Sequence, residues 1–430
     1  MNTLRIHSLT LDRFRGAHSL ALELHRRLNI FVGMNGAGKS TLLDAAAILL
    51  SWLVNRIKHT GASGRPISEA DIRNGQASAT LAIKLAQDSH NFGWHIVKTR
   101  KGYYKKEGSS VLTAASEAAK RIQSDISDHN GAVNLPLFAY YPVNRAVLDI
   151  PLRIRAKHRF DLLSAYEDSL TSGASFRTFF EWFREREDLE NEAFRDQHTL
   201  FKESAANRVF PDAQLEAVRY AIKQLMPEFS QLTVRRNPLR MEVEKNGQRL
   251  TVNQLSDGEK CFMAMVGDMA RRMAIANPLR DQPLHGAGVF LIDEIDLHLH
   301  PQWQRQIIPK LTKVFPNSQF LISTHSPHVI THVQPENLFL LHMTTEGLEV
   351  MRPSESYGKT VDRVLEDLMG LDTTRPTQVS ANLQQIYAQI DRGLLNDARD
   401  LIDQLREQIG EDPELVKADI LIKRKELIGK

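Results

Sequence analysis

The stretch "GMNGAGKST", residues 33–41, constrains this chain more than any other. It follows "NIFV", a continuous apolar run of the kind that forms a strand buried on both faces. It precedes "LLDAAAILLSWLV", whose apolar residues recur at helical spacing. Strand, glycine-rich loop and helix together are the context that G-x-x-x-x-G-K-[ST] requires. Backbone N–H groups across Asn35, Gly36, Ala37 and Gly38 would approach phosphate oxygens, and the helix N-terminus favours negative charge. Lys39 is expected to reach the β and γ phosphates of ATP, with Ser40 on Mg²⁺ and Thr41 beside it.

Three further stretches belong with this loop. "VFLIDE" (289–294) is an apolar strand ending in two carboxylates. Asp293 is expected to hold Mg²⁺ and Glu294 to orient and deprotonate the attacking water. "STHSP" (323–327) ends a second apolar strand, where His325 would contact the γ-phosphate or that water. "LSDGEK" (255–260) looks chemically idle, yet its serine and glycine stand at the start of an apolar helix, another anion-binding end. One chain already holds a phosphate cradle at 33–41. A second cradle needs a second phosphate, supplied by ATP bound to another copy. Ser256, Asp257, Gly258 and Glu259 are therefore expected to contact ATP in trans, in a head-to-tail dimer or higher homo-oligomer.

Composition sets the remaining bounds. The chain has 430 residues, enough for two or three units, and 42% of them are apolar. Lys plus Arg is 55 and Asp plus Glu is 52, a near balance that argues against a polycation coating nucleic acid. The single cysteine, Cys261, fits a reducing cytoplasm. The longest apolar run is too short to span a bilayer, so no membrane role is expected. "GVFLI" and "SQFLIST" with a helical stretch at 302–314 between them predict a parallel sheet. The expected hairpin turns are Gly102 and "NG" at 246–247. Two helix faces are expected in the tail: Leu383, Ile386 and Ile390 on one, and Leu394, Ala398, Leu401 and Leu405 on the other. The expected divisions are an ATPase lobe at 1–148, a helical insertion at 149–232, a second lobe at 233–345 and a helical docking or oligomerisation region at 346–430.

"FRG" (14–16), "VGMNGAGKST", "LSDGEK", "LIDEIDLHLHP" (291–301) and "STHSP" stand in an order that resembles the ABC-type ATPases of the SMC, RecF and OLD group. The resemblance frames roughly residues 1–345. It implies an α/β P-loop NTPase head with a mixed sheet, an antiparallel N-terminal subsheet, a helical insertion and a helical tail. It implies ATP-driven dimerisation of heads, and it places Asp296 at the dimer seam. The group usually carries a glutamine after the last strand before the helical part. Here that place is "YYPVNR", so the role of coupling the lobes falls to Asn144 or Arg145.

Residues 346–430 contain no D-x-D pair and no apolar strand ending in acids, so nuclease chemistry is not expected in this chain. The tail resembles the stand-alone ATPases of bacterial anti-phage systems, in particular the PtuA ATPases of Septu systems. That implies an ATPase gating a separate effector such as an HNH nuclease, with a Toprim nuclease or a retron complex as alternatives. The rival reading is a RecF-like repair ATPase that clamps DNA directly. Nucleic-acid contact would fall on "KTRKGYYKK" (98–106), where Tyr103 and Tyr104 lie between lysines, on "RIRAKHRF" (153–160) or on "VRRNPLR" (234–240). His298 and His300 are two apart with no cysteine nearby, a poor zinc pattern. Trp182 among phenylalanines reads as core.

Overall fold

Alternation at the N-terminus produces strands, as the residue pattern predicts. In the computed structural model, which describes residues 4–88, 90–103, 108–143, 160–171, 173–198 and 211–428, β1 (Leu4–Phe14) and β2 (Ala17–Glu23) alternate in burial, while β3 (Leu28–Gly33) is buried from Asn29 to Val32. Then come α1 (Lys39–Lys58), β4 (Ser78–Gln87) and β5 (His90–Thr99). Strands β2, β1, β4 and β5 form an antiparallel sheet in that order. The β4–β5 connection turns at Asp88, with φ 52°, while the expected turn at Gly102, with φ 87°, comes after β5, beyond which Val111 pairs antiparallel with His95. Aspartate tolerates the left-handed backbone a tight turn demands.

The chain continues through α2 (Thr113–Asp128), β6 (Leu137–Tyr141), α3 (Phe176–His198) and α4 (Ala213–Leu225). A small antiparallel sheet follows, made of β7 (Phe229–Arg236), β8 (Leu239–Lys245) and β9 (Gln248–Thr251), with the expected Asn246–Gly247 turn joining the last two. Next are α5 (Asp257–Ala276), β10 (Gly288–Ile292), α6 (Pro301–Val314), β11 (Ser318–Thr324), α7 (Pro327–Ile330), β12 (Leu338–Met343) and β13 (Leu348–Met351). The central sheet runs β13-β12-β3-β11-β10-β6, parallel except for the β12–β13 edge pair. Register pairs Ile292 with Ile322 and Thr324 with Val32. The carboxyl ends of β3, β11 and β10 are therefore adjacent and level, where open parallel sheets form their ligand crevice.

Packing explains the apolar runs. Residues Val289–Ile292 are completely buried, worth about 1.5–3 kcal/mol for each large apolar side chain. Helix α1 has the length and composition to cross a membrane, but Ala45–Leu50 are at most 1% exposed in the head's core. Phe179, Phe180, Trp182 and Phe183 on α3 are buried. Phe179 lies so close to Gly267 of α5 that a Cβ there would meet its ring at 2.7 Å.

The head extends to Lys359, and Thr360–Lys430 form a separate unit. The boundary falls past 345 because β13 pairs with β12 and so completes the head's sheet. The second unit contains α8 (Val361–Asp367), α9 (Thr377–Arg392), α10 (Leu395–Ile409) and α11 (Pro413–Ile428). Its core joins Leu383, Ile386 and Ile390 to Ala398, Ile402, Leu405, Leu415, Ala418 and Ile422. On α10 the buried stripe thus uses Ile402. Leu401 is only partly buried and Leu394 is 47% exposed, because it precedes the helix and lies off its inner face. Asp412 starts α11 as expected, accepting from the Glu414 N–H at 2.9 Å, and Arg375 grips it with two hydrogen bonds.

A buried ionic network ties α5 to β6. Tyr141 donates to Asp268 Oδ2 at 3.0 Å, and Arg271 and Arg272 each donate to the same carboxylate at 2.6 Å. Arg272 also donates to the carbonyls of Ala165 and Glu167. Burial pushes the Asp268 carboxyl up, and the two arginines outweigh it, so the group stays below the usual carboxylate range. Asp268→Ala would leave two buried cations sharing no anion. The expected loss is about 3–5 kcal/mol, read as a lower urea midpoint of the head transition. A midpoint equal to wild type would contradict this account of the network.

Candidate functional site

The glycine-rich loop is set by backbone geometry. Gly36 and Gly38 have φ of 80° and 89°, the left-handed region that glycine enters without penalty, and Gly38 also packs against Leu348. Helix α1 starts at Lys39 directly after this turn. The Lys39 ammonium is buried and donates to the carbonyls of Gly33 at 2.8 Å and Met34 at 3.1 Å. Burial lowers its pKa, against the opposing fields of Glu294, Asp293 and Asp296. A half-desolvated ammonium at a helix N-terminus, held by two carbonyls, is suited to receive an anion. Ser40 and Thr41 stand in the first turn of the helix, with Ser40 exposed.

The acids follow β10. Asp293 is 2% exposed, and its N–H donates to the Tyr141 carbonyl at 2.9 Å. Glu294 has φ 47°, rare for a residue with a side chain. Its N–H donates to Ser323 Oγ at 2.7 Å, and the Ser323 hydroxyl donates to Asp293 Oδ1. Thr324 donates to Asp296 Oδ1 at 2.5 Å, and the His325 N–H reaches the same oxygen at 3.3 Å. The Asp296 carboxylate is therefore held by its own chain's β11. His325 Nε2 lies 3.9 Å from Glu294 Oε1. Burial and the nearby Lys39 lower the His325 pKa more than the three acids raise it, so the imidazole is neutral at pH 7 and this contact is not an ion pair.

No group of three or more His, Cys, Asp or Glu is placed to hold a metal among the described residues. Mg²⁺ takes one or two protein oxygens and completes its shell with water and phosphate, and the Ser40 hydroxyl and Asp293 carboxylate are oxygen donors of the kind it takes.

The "LSDGEK" helix start holds itself together. Ser256 caps α5: its hydroxyl accepts the Glu259 N–H at 3.3 Å, and the Glu259 carboxylate accepts the Ser256 N–H at 3.0 Å. Lys245 donates to the same carboxylate at 2.5 Å, and Lys260 pairs with exposed Asp257. Gly258 is required by proximity: a Cβ would meet the His298 carbonyl oxygen at 2.3 Å. A cavity of about 340 Å³ beside it is lined by Ser256, Glu259, His298 and His300. Thus the structure gathers Lys39, Asp293, Glu294, Asp296 and His325 into one cluster. The partners of residues 256–260 are instead Lys245 and the loop at His298. Asn144 and Arg145 lie outside the described residues.

Several positioning groups escape motif reading. Arg15 of "FRG" and Arg65 both bind Asp44 of α1, and Arg15 also donates to Asp71 at 2.8 Å. Ser323 and Thr324 lie inside "STHSP", yet only its histidine attracts attention there. The arginines of "VRRNPLR" are neutralised: Arg235 and Arg240 share Glu242, and Arg236 binds Glu187 and Asp188. Tyr104 and residues 153–159 of the other basic runs lie outside the described residues, while Tyr103 is 54% exposed.

The chain is similar to known proteins over most of its length. Residues 28–331 match the family described as "AAA domain, putative AbiEii toxin, Type IV TA system". The chain is 32% identical to "Retron Ec83 probable ATPase" of Escherichia coli, over 98% of this chain and 87% of that protein. It is 30% identical to "Retron Vc95 probable ATPase" of Vibrio cholerae, over 84% and 78% respectively. It is 25% identical to "Septu protein PtuA" of Bacillus thuringiensis, over 86% and 85%.

The lowered pKa of His325 has a testable sign. Its NMR titration midpoint should lie below the ordinary value of about 6.5, and Lys39→Met should raise it by removing a neighbouring cation. The group adds no stability change at higher pH. As pH falls through the ordinary histidine range the unfolded chain takes the proton first, so the fold loses stability there. A midpoint above 6.5 would refute the stated electrostatics.

Proposed function

Because the chain belongs to the AbiEii-type AAA-domain family and is an ATPase similar over most of its length to those of retron and Septu systems, we propose that it is a nucleotide-gated switch in which the heads of two copies clasp ATP between them. The observation that carries this reading is the division of labour within one head. Lys39, Asp293, Glu294 and His325 cluster at the strand ends, while the capped α5 start, with Ser256 at its exposed tip, is partnered by Lys245 and the loop at His298 instead of by that cluster.

In this reading Lys39 exchanges its two carbonyl partners for phosphate oxygens. The backbone of residues 35–38 lines the phosphates, and Thr41 adds a hydroxyl. Ser40 and Asp293 would hold Mg²⁺, which would supply charge neutralisation at the phosphate oxygens. Glu294 takes the proton of the attacking water and aligns it for in-line displacement. Neutral His325 can hydrogen-bond either that water or the γ-phosphate. Ser256 and the Gly258 N–H approach the partner copy's nucleotide. Glu259 acts there through Ser256, because its own carboxylate is spoken for by Lys245. Asp257 and the Asp296 loop flank the seam. Hydrolysis releases the clasp.

The clasp would gate a separate effector, in keeping with relatives named for retron and Septu systems; the chemistry we favour is a nuclease such as an HNH enzyme, in anti-phage defence within the bacterial cytoplasm. We assign docking of that effector to the tail unit. Its last helix, α11, exposes Val416, Ile420 and Leu427 along one side, flanked by Lys417, Lys423 and Arg424. That face suits an acidic-rimmed apolar surface. A DNA clamp is less well supported, since the best-described basic strand pair is neutralised internally.

Two experiments test this. Glu294→Gln should bind ATP and accumulate as a nucleotide-bound dimer by light scattering, whereas Ser256→Arg should bind ATP as a single chain without hydrolysing it. Wild-type turnover in Ser256→Arg rejects the shared site, and wild-type turnover in Glu294→Gln rejects the catalytic role given to Glu294. Separately, Ile420→Glu should leave turnover unchanged but abolish comigration with the effector nuclease on gel filtration. Retained comigration would move docking off α11.

A further inference from the structure

The residues that act on water must be held in place by something, and the structure supplies an unexpected holder. β10 and β11 run parallel with Ile292 opposite Ile322, so the residues just beyond, Asp293 and Ser323, face each other across the sheet's end. Ser323 is fully buried. Its hydroxyl donates to Asp293 Oδ1, its Oγ accepts the Glu294 N–H at 2.7 Å, and its carbonyl accepts the Ile295 N–H at 3.1 Å. One residue thus holds a carboxylate rotamer and the backbone of two successive turn residues. The middle one, Glu294, sits at φ 47°, a conformation a side-chain-bearing residue keeps only when its surroundings impose it. Thr324 repeats the device one step on, donating to Asp296 and thereby steadying the turn that carries His325.

We infer that Ser323 is a positioning residue for hydrolysis: a single buried hydroxyl sets both the metal-side carboxylate of Asp293 and the direction of Glu294, so turnover depends on it while nucleotide binding does not. This rests on the roles given above to Asp293 and Glu294. The chemistry follows from donor and acceptor counts. A hydroxyl has one proton to donate and lone pairs to accept with. Here the proton goes to the acid and a lone pair takes the amide N–H, so both partners are satisfied by the same oxygen. Alanine would leave a buried carboxylate oxygen and a buried N–H without that partner, and both would shift to find others. Phosphate binding relies on the loop at 33–41 and Lys39, none of which bonds Ser323, so it should persist.

The same strand provides the control. Ser318, at the opposite end of β11, is 1% exposed, and its hydroxyl has no hydrogen-bond partner among the described residues. Steady-state ATP hydrolysis, binding of a fluorescent ATP analogue and thermal melting should be measured on the full chain for Ser323→Ala, Ser323→Thr, Ser318→Ala and Glu294→Gln. In Ser323→Ala, kcat should fall by about 10- to 100-fold, the scale of a small misplacement of reacting groups, with analogue affinity unchanged. Ser323→Thr, which keeps a hydroxyl, should recover most of that loss, and Ser318→Ala should match wild type. The positioning role is overturned if Ser323→Ala turns over like Ser318→Ala, if it loses affinity along with rate, or if threonine rescues nothing. Full turnover in Glu294→Gln overturns instead the catalytic assignment on which the inference stands. Loss of turnover in Glu294→Gln with normal turnover in Ser323→Ala sinks the inference alone.

Discussion

Everything at the candidate site depends on one ammonium facing carboxylates at the level ends of three parallel strands. The register of β3, β11 and β10 brings the Lys39 loop beside Asp293, Glu294 and Asp296. Lys39 is the cation whose field those acids share, so formally the cluster carries one positive and three negative charges. A triphosphate would be repelled by that balance unless a divalent cation came with it. The loop and Lys39 supply the phosphate contacts, and the acid-rich far wall suits a phosphate that arrives with its divalent cation better than a bare anion.

In the proposed dimer the start of α5 is the counterpart of this cluster. α5 is buried along almost its whole length, so its only exposed end is the Ser256 tip. A helix buried on all sides cannot move without its neighbours, and two of them are informative. Tyr141 gives its hydroxyl to Asp268 of α5 and its carbonyl to the Asp293 N–H. The strand end that carries the metal-side acid is thus fastened to the helix whose tip we assign to the partner's nucleotide. The capping box and Lys245 in turn fix the tip, so Ser256 is presented in one orientation.

The large divisions were legible because they follow from spacing: an apolar run before "GMNGAGKST" became β3, and the run after it became α1. Acids ending β10 and the histidine ending β11 came together because sheet register is set by the backbone, which strand patterns report. What stayed hidden depends on side-chain direction. Nothing in "STHSP" says that Ser323 turns toward Asp293 while Thr324 turns toward Asp296. Nor does "LSDGEK" reveal that Glu259 closes a cap instead of facing a ligand. The arginines of "VRRNPLR" looked like a patch because the acids of Arg236, Glu187 and Asp188, come from α3, far away in sequence, while Glu242, shared by Arg235 and Arg240, lies just past the run. On α10, Leu394 looked equivalent to Ala398, but it precedes the helix and so escapes its inner face.

The loop from Asp293 to His300 shows why these pieces behave as one. At its start, Ser323 and Thr324 grip Asp293, Glu294 and Asp296. At its end, the His298 carbonyl presses on Gly258 so closely that no side chain fits between them. Internal bonds from Leu297 N–H to Glu294 and from Leu299 N–H to Asp296 leave little slack. Glu294 and His298 both occupy left-handed backbone, at φ 47° and 63°, which makes alternative paths for the loop unfavourable. A displacement of the acids by an arriving nucleotide would therefore be passed along a short, overdetermined segment to the helix tip. In the proposed dimer, with so little freedom to absorb the change locally, the state of one chain's own site would alter how Ser256 is offered to the partner copy.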